Sequence, residues 1–166
     1  RVNILQPGPG VGGHCISVDP WFLVGDYPDL TNLILTARKI NDSMPSHVLK
    51  RIRDIMREHN INDVSRVGLY GLTYKENVDD TRESPTLQLL ERMDENLSFG
   101  VKVYDPFINE RIVEHQFMNF DDFINEVDII VIMVGHAHIK NNMHLIKDKL
   151  ILDTRNICDF DGVYKL

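Results

Sequence analysis

The stretch that most constrains this chain is DIIVIMV, Asp128 to Val134. After its first residue the run is apolar without alternation, the pattern of a strand covered on both faces. Strands of that kind belong almost entirely to parallel sheets flanked by helices. Leu150 to Thr154 is a second such run and ends at Arg155. Val64 to Tyr70 is β-rich and ends at Gly71, and Val101 to Tyr104 ends at Asp105-Pro106. Helical patterns lie between them. Ser84-Pro85 supplies an N-cap and a proline at the first helical position, followed by Leu87, Leu90, Met93 and Leu97, with Phe99-Gly100 as the stop. Asp121-Asp122 opens a short helix through Val127. Strands alternating with helices predict an α/β fold, a doubly wound parallel sheet over residues 61–166, with ligands beyond the strand carboxyl ends. The chain shows no internal repeat and no low-complexity tract.

Residues 1–60 read differently. A short apolar run, Val2 to Leu5, leads into a glycine loop. Beyond it Leu30, Leu33, Ile34, Ala37, Ile40, Met44, Val48, Ile52, Ile55 and Met56 recur at steps of three and four, the stripe of one long helix or of two helices meeting near Pro45. Such a stripe needs a partner surface. A subunit interface and packing onto the following domain are both open.

Composition bounds the function. A chain of 166 residues fits one domain, or one domain and part of another, and 43% hydrophobic residues suffice for a core. The net charge of −7 argues against a nucleic-acid partner held through a broad basic face. No run approaches the ~18 apolar residues of a membrane span. No charged segment precedes an apolar one in the manner of a signal peptide. Two cysteines, Cys15 and Cys158, are too few for a disulfide framework and point to a reducing cytoplasm. No histidine or cysteine spacing suggests a metal site. The opening at Arg1, without Met, is expected of a piece of a longer protein.

Within the glycine loop, Gly8, Gly10 and Gly13 satisfy G-x-G-x-x-G. A dinucleotide turn should follow a strand, open a helix at once and find an acid ~20 residues on. Here Pro7 and Pro9 cannot donate to a pyrophosphate, HCISVDP lacks helical periodicity, and Asp29 ends no strand. The match reads as accidental. Gly10, Gly12 and Gly13 still permit close approach of a ligand to backbone. Cys15 follows, with His14 beside it and the Asp19-Pro20 helix start nearby. It reads either as a reactive thiolate or as a small buried hydrophobe. Cys158 reads as the latter.

PGPGVGGHCISVDPWFLV resembles the catalytic loop of the UDP-glucose/GDP-mannose dehydrogenase family, and GLTYKENVDDTRESP resembles that family's second signature. The motifs stand in the family's order, and the resemblance runs over essentially the whole chain. It implies the end of a central helical dimerisation domain over residues 1–60 and a Rossmann-like UDP-sugar-binding domain over 61–166. It also implies NAD-dependent, four-electron oxidation of a sugar C6 alcohol to a carboxylate. G-G-H-C with V-D-P-W-F is more similar to members acting on UDP-N-acetylmannosamine than to those acting on UDP-glucose, where G-G-S-C-F and a lysine before the aspartate are commoner.

The resemblance implies roles residue by residue. Cys15 matches the nucleophile that holds the aldehyde as a thiohemiacetal and then a thioester. Asp19 matches an aspartate of water activation and proton transfer, and also reads as a plain N-cap before Pro20. Gly10, Gly12 and Gly13 match the backbone against the sugar. Lys75 matches a substrate-contacting lysine, beside Tyr74 at an aromatic position. Arg82 matches an arginine that reaches the nicotinamide cofactor, although Asp79 or Asp80 could pair with it. Arg155 resembles an anion-contacting arginine, and Arg1 one that reaches a neighbouring subunit's substrate. A homodimer is implied.

Departures are visible too. The NAD-binding domain and the family's catalytic lysine and asparagine have no counterpart here, so this chain alone is expected to lack turnover. Glu76-Asn77 stands where proline-asparagine is common, and Thr73-Tyr74 where alanine-phenylalanine is common. Two other classes stay open: a nucleotide-binding module without chemistry, and a cysteine hydrolase or transferase using His14, His136 or His138 as base.

Overall fold

A computed structural model describes residues 6–96 and 100–166 of the chain. The expectations for Arg1, for the run Val2 to Leu5, and for Leu97 and Phe99 fall outside these residues. The elements are α1 (Asp19–Asp26), α2 (Asn32–Glu58), a 3-10 turn (Val64–Arg66), β1 (Val67–Tyr70), α3 (Pro85–Asn96), β2 (Lys102–Tyr104) and β3 (Gln116–Phe117). They continue with α4 (Phe120–Glu126), β4 (Ile129–Ile132), α5 (Ala137–Asn141), a 3-10 turn (Met143–Leu145), β5 (Leu150–Asp153) and β6 (Tyr164–Lys165).

Among the described residues six strands form one sheet in the order β3-β2-β1-β4-β5-β6, every pair parallel. The chain order reverses between β1 and β4, so loops leave the carboxyl ends of these two strands in opposite directions and open a crevice between them. Register aligns the strand ends, with Tyr70 beside Tyr104 and Ile132, and Ile132 beside Asp153. All four residues of β1 and of β4 are buried, as their unbroken apolar sequence requires.

The pleat sorts the core. Val67, Leu69, Val103, Ile129, Val131 and Leu152 face Leu49, Ile52 and Ile55 of α2 and Leu89 and Met93 of α3. Tyr70, Ile130, Ile132 and Ile151 face Phe123 and Ile124 of α4 and Ile139 of α5. Gly68 lets α4 close down on the sheet, because a Cβ there would stand 2.6 Å from Phe123 Cζ.

The N-cap expected at Ser84 holds: its hydroxyl accepts the Thr86 N–H at 3.2 Å. The helix expected from Asp121 begins one residue earlier, at Phe120, capped by Asn119 Oδ1, which accepts the Asp122 N–H at 3.1 Å. Asp19 is not an N-cap. It is the first helical residue of α1, preceded by Val18, and its own N–H bonds the Cys15 carbonyl at 2.8 Å. Strands β3 and β6, two residues each, were too short to show any period.

Helix α2 is one uninterrupted 27-residue helix running through Pro45. Proline removes the N–H that the Asn41 carbonyl would have received, and the buried apolar packing of Val48, Leu49 and Ile52 just beyond it holds the helix together there. The stripe serves two surfaces. Val48, Leu49, Ile52, Ile55 and Met56 are buried against the sheet, whereas Leu33 and Ile40 are 83% and 60% exposed. Phe22, Leu23 and Tyr27 of the α1 region extend this exposed apolar face.

Candidate active site

The glycine loop is fastened from three directions. Val11 N–H donates to Asn41 Oδ1 of α2 at 2.9 Å, and Arg38 Nη1 donates to the Ile16 carbonyl at 3.2 Å. Gly13 N–H donates to the Arg82 carbonyl at 2.9 Å, and the Ser17 hydroxyl donates to the Gly13 carbonyl. At Gly12 there is no room for a side chain. A Cβ would stand 2.8 Å from Tyr74 Cβ and press against the Glu83 carbonyl. Gly13, at φ +89°, turns its backbone against the Tyr74 ring. Gly8 lies against the Arg155 guanidinium.

Two segments some 60 residues apart in sequence thus share one cleft of about 820 Å³. Gly10 and Gly12 line it together with Tyr74, Lys75 and Arg155. The floor is Met133 to Gly135, just past β4, which places the cleft over the crevice where the strand order reverses. Gly13, Cys15, Asp19 and Arg82 lie beyond this lining.

Cys15 is exposed, which removes the buried-hydrophobe reading of this thiol. His14 Nδ1 sits 2.9 Å from Cys15 Sγ. Among the described residues no hydrogen bond orients the other side of the His14 ring, and neither His136 nor His138 reaches the thiol. Arg82 is paired with Asp80 through contacts of 3.0, 3.0 and 2.5 Å. That guanidinium holds the Asp80 carboxyl down at about 2. Cys158 is buried as expected, and burial with the nearby Asp153 carboxylate pushes its thiol up to about 12. No group of three metal-ligating side chains occurs among the described residues. Among the described residues no helix is long and apolar enough to cross a membrane.

Beneath the cleft lie polar groups that sequence reasoning did not assign to it. Asp105, after β2, receives Leu72 N–H at 2.6 Å and Thr73 N–H at 3.2 Å on Oδ2, and Phe107 N–H at 2.8 Å on Oδ1. His136 Nε2 stands 3.2 Å from the same Oδ2. Burial raises the Asp105 carboxyl, and the His136 ring with the Phe107 and Leu72 amides more than offsets this, so it stays below the usual carboxylate range. Asp153, the last residue of β5, accepts the amides of Arg155, Ile157 and Cys158 and the Lys165 ammonium at 2.8 Å. A signal was present for both: each is a carboxylate at the carboxyl end of a strand-like run.

A parallel doubly wound sheet with a glycine-walled, cation-bearing cleft at its reversal point defines the nucleotide-binding class of α/β protein. Family models narrow that class. Residues 68–160 match the UDP-glucose/GDP-mannose dehydrogenase family UDP-binding domain, and residues 1–43 match its central domain. The chain belongs to the UDP-glucose/GDP-mannose dehydrogenase family. It is 44% identical to a UDP-N-acetyl-D-mannosamine dehydrogenase of Methanocaldococcus jannaschii over 95% of this chain and 37% of that protein. It is 37% identical to an NDP-N-acetyl-D-galactosaminuronic acid dehydrogenase of Ralstonia nicotianae, again over 95% of this chain and 37% of that protein. The solved UDP-D-ManNAc dehydrogenase of Pyrococcus horikoshii superposes with a TM-score of 0.83 at 31% identity, over 99% of this chain and 40% of that one. The chain therefore spans less than half the length of the relatives it matches.

Proposed function

We propose that this chain is the substrate-binding part of an NAD-dependent nucleotide-sugar 6-dehydrogenase. Its reaction is oxidation of UDP-N-acetylmannosamine to UDP-N-acetylmannosaminuronate, four electrons leaving C6. The observation that carries this reading is the docking of the Cys15-bearing glycine loop on the Lys75-bearing loop, through Gly13 and Arg82 at 2.9 Å and through Gly12 against Tyr74.

Lys75 and Arg155 supply the positive charge that a diphosphate needs, with Arg155 also able to grip two oxygens at once. Gly10, Gly12 and Gly13 leave space for a sugar against backbone. Once C6 has become an aldehyde, Cys15 Sγ adds to it, forming the S–C6 bond of a thiohemiacetal. His14, in reach of the thiol, can hold its proton. Loss of the second hydride leaves a thioester. Water adds at C6, the S–C6 bond breaks, and carboxylate and thiol are the products. Asp19, one helical turn beyond Cys15, is the group assigned to that water.

NAD, when bound, accepts the hydrides from C6. The described residues offer it an edge and not a cradle. The Gly13 N–H is already engaged by Arg82, no helix follows the loop directly, and the exposed Arg82 guanidinium beside Cys15 is what faces outward. The dinucleotide domain is proposed to lie elsewhere in the same polypeptide, with this chain inactive by itself. Arg1 is proposed to reach the substrate of a second subunit, and the exposed face of α1 and α2 to join the two subunits. A cytoplasmic location goes with this reading.

The experiment is NADH formed per sugar by the full-length polypeptide, with UDP-N-acetylmannosamine, UDP-N-acetylglucosamine and UDP-glucose in parallel. Two NADH per sugar with the first alone, abolished by Cys15→Ala, is the expected result. The Ralstonia relative makes the N-acetylgalactosamine series a fourth arm. No NADH from any sugar, with protein folded and NAD bound, would overturn the assignment. A binding module without chemistry would then stand, the reading favoured by the position of Cys15 outside the cleft lining.

A further inference from the structure

His136 is fully buried, titratable, and has no part in the chemistry above. It follows β4 and precedes α5. A backbone amide can only donate, so the bond from Asn77 N–H to His136 Nδ1, 2.9 Å long, makes Nδ1 the unprotonated nitrogen. The ring proton then lies on Nε2, facing Asp105 Oδ2 at 3.2 Å and Thr73 Oγ1 at 3.3 Å. Thr73 gives its own hydroxyl proton to the Lys75 carbonyl at 2.8 Å, which leaves its lone pairs toward the ring. Asn77 returns the contact: its Oδ1 accepts the N–H of Ala137 at 2.9 Å. Asn77 holds φ +59°, the left-handed conformation that asparagine adopts more readily than most residues. Phe107 packs over the imidazole with ring centroids 4.9 Å apart.

The loop between β1 and Asn77 is thus tied at Leu72, Thr73 and Asn77, the last of these to the imidazole and the first two to Asp105. The backbone of Lys75 is held on both sides while its side chain stands exposed at the cleft.

We propose that His136, neutral and protonated on Nε2, is a positioning residue that locks the Thr73–Asn77 loop so that Lys75 meets the diphosphate of the nucleotide sugar. The proposal rests on the role given to Lys75 in the preceding section. A lysine whose backbone is already ordered loses less freedom when it binds, and that saving is what the imidazole contributes.

The test is calorimetric titration of UDP into the full-length polypeptide, comparing wild type, Lys75→Ala, His136→Leu, His136→Gln and the double variant Lys75→Ala/His136→Leu. Leucine fills similar space without bonds. Glutamine keeps an acceptor for Asn77 and a donor for Asp105. His136→Leu should weaken UDP about tenfold or more, as should Lys75→Ala, with His136→Gln within about threefold of wild type. The double variant should bind no worse than the weaker single variant, a non-additivity that a general loss of stability would not produce. Wild-type affinity in His136→Leu, or additive losses in the double variant, would overturn the role of His136 alone. Binding indifferent to Lys75→Ala, or absent from wild type, would overturn the reading of Lys75 and this proposal with it. Should His136→Leu not fold, nitrogen-15 spectra of the wild-type imidazole decide. A proton on Nδ1 at neutral pH would overturn the proposal, and one on Nε2 alone supports it.

Discussion

The backbone N–H of Gly13 donates to the carbonyl oxygen of Arg82 across 2.9 Å, joining the loop that carries Cys15 to the loop that carries Lys75. Neither loop has a sheet ladder of its own to hold it. Each is braced in part by the other, and Gly12 sets how closely they meet.

Gly12→Ala should therefore separate the loops. Its methyl group would stand 2.8 Å from Tyr74 Cβ and press on the Glu83 carbonyl, which is backbone and cannot swing aside. UDP binding by the full-length protein should fall about tenfold or more, with thermal stability lowered by about 1–3 kcal/mol. Unchanged affinity would show that the loops tolerate the gap.

Gly68→Ala tests the sheet rather than the site. The added Cβ meets Phe123 at 2.6 Å on the face that α4 covers. Denaturant titration should show a loss of about 1–3 kcal/mol, the usual range for overpacking a closed core.

Thiol labelling should separate the two cysteines. Exposed Cys15 should alkylate readily near pH ~8, whereas buried Cys158, with its thiol pushed up to about 12, should react only after denaturation. Mass spectrometry of native protein should find one modified cysteine, lost in Cys15→Ser.

Acid should weaken the fold through two buried carboxylates. Asp105 and Asp153 both titrate below the ordinary carboxylate range in the folded state, because hydrogen-bond donors and the nearby His136 and Lys165 more than offset burial. A depressed carboxylate contributes stability that is fully present above its unfolded value and is lost as pH falls through the folded one. Thermal midpoints should be flat from about pH 7 to 5 on this account and fall below about pH 4. Asp105→Asn should flatten that fall while lowering the midpoint at neutral pH.

Much of this was legible in the sequence because burial leaves a mark on composition. Ile129–Ile132 and Leu150–Asp153 announced a parallel sheet, and Ser84-Pro85 announced α3 to the residue. The loop motifs were legible as a resemblance, and the structure adds that Gly12, Tyr74 and Arg155 share one cleft. His136, Asp105 and Asn77 were not legible as a set. Their partners come from three different loops, and a lone histidine after an apolar strand has no spacing to betray it. The split duty of α2 was hidden for a related reason: one continuous stripe gives no sign that Leu33 and Ile55 face different things.

A substitution on that exposed half should be readable in solution. Leu33→Asp with Ile40→Asp leaves the sheet-facing half of α2 untouched. On the proposed two-subunit assembly, light scattering on the full-length protein should show two subunits for wild type and one for the variant, and unchanged mass would place the subunit contact elsewhere.

The pairing of β1 with β4 also governs how the protein comes into being. Val67 lies beside Ile129, so the centre of the sheet joins residues about 60 positions apart, and β5 adds to it only afterwards. Contacts of such long range are slow to form, because loop closure must precede any gain from burial. On a ribosome, α2 would emerge with Val48, Ile52 and Ile55 uncovered and wait for β1, β4 and β5 before finding its full cover. Arg155 emerges later still, just after β5, so the cleft is complete only once these strands have been made.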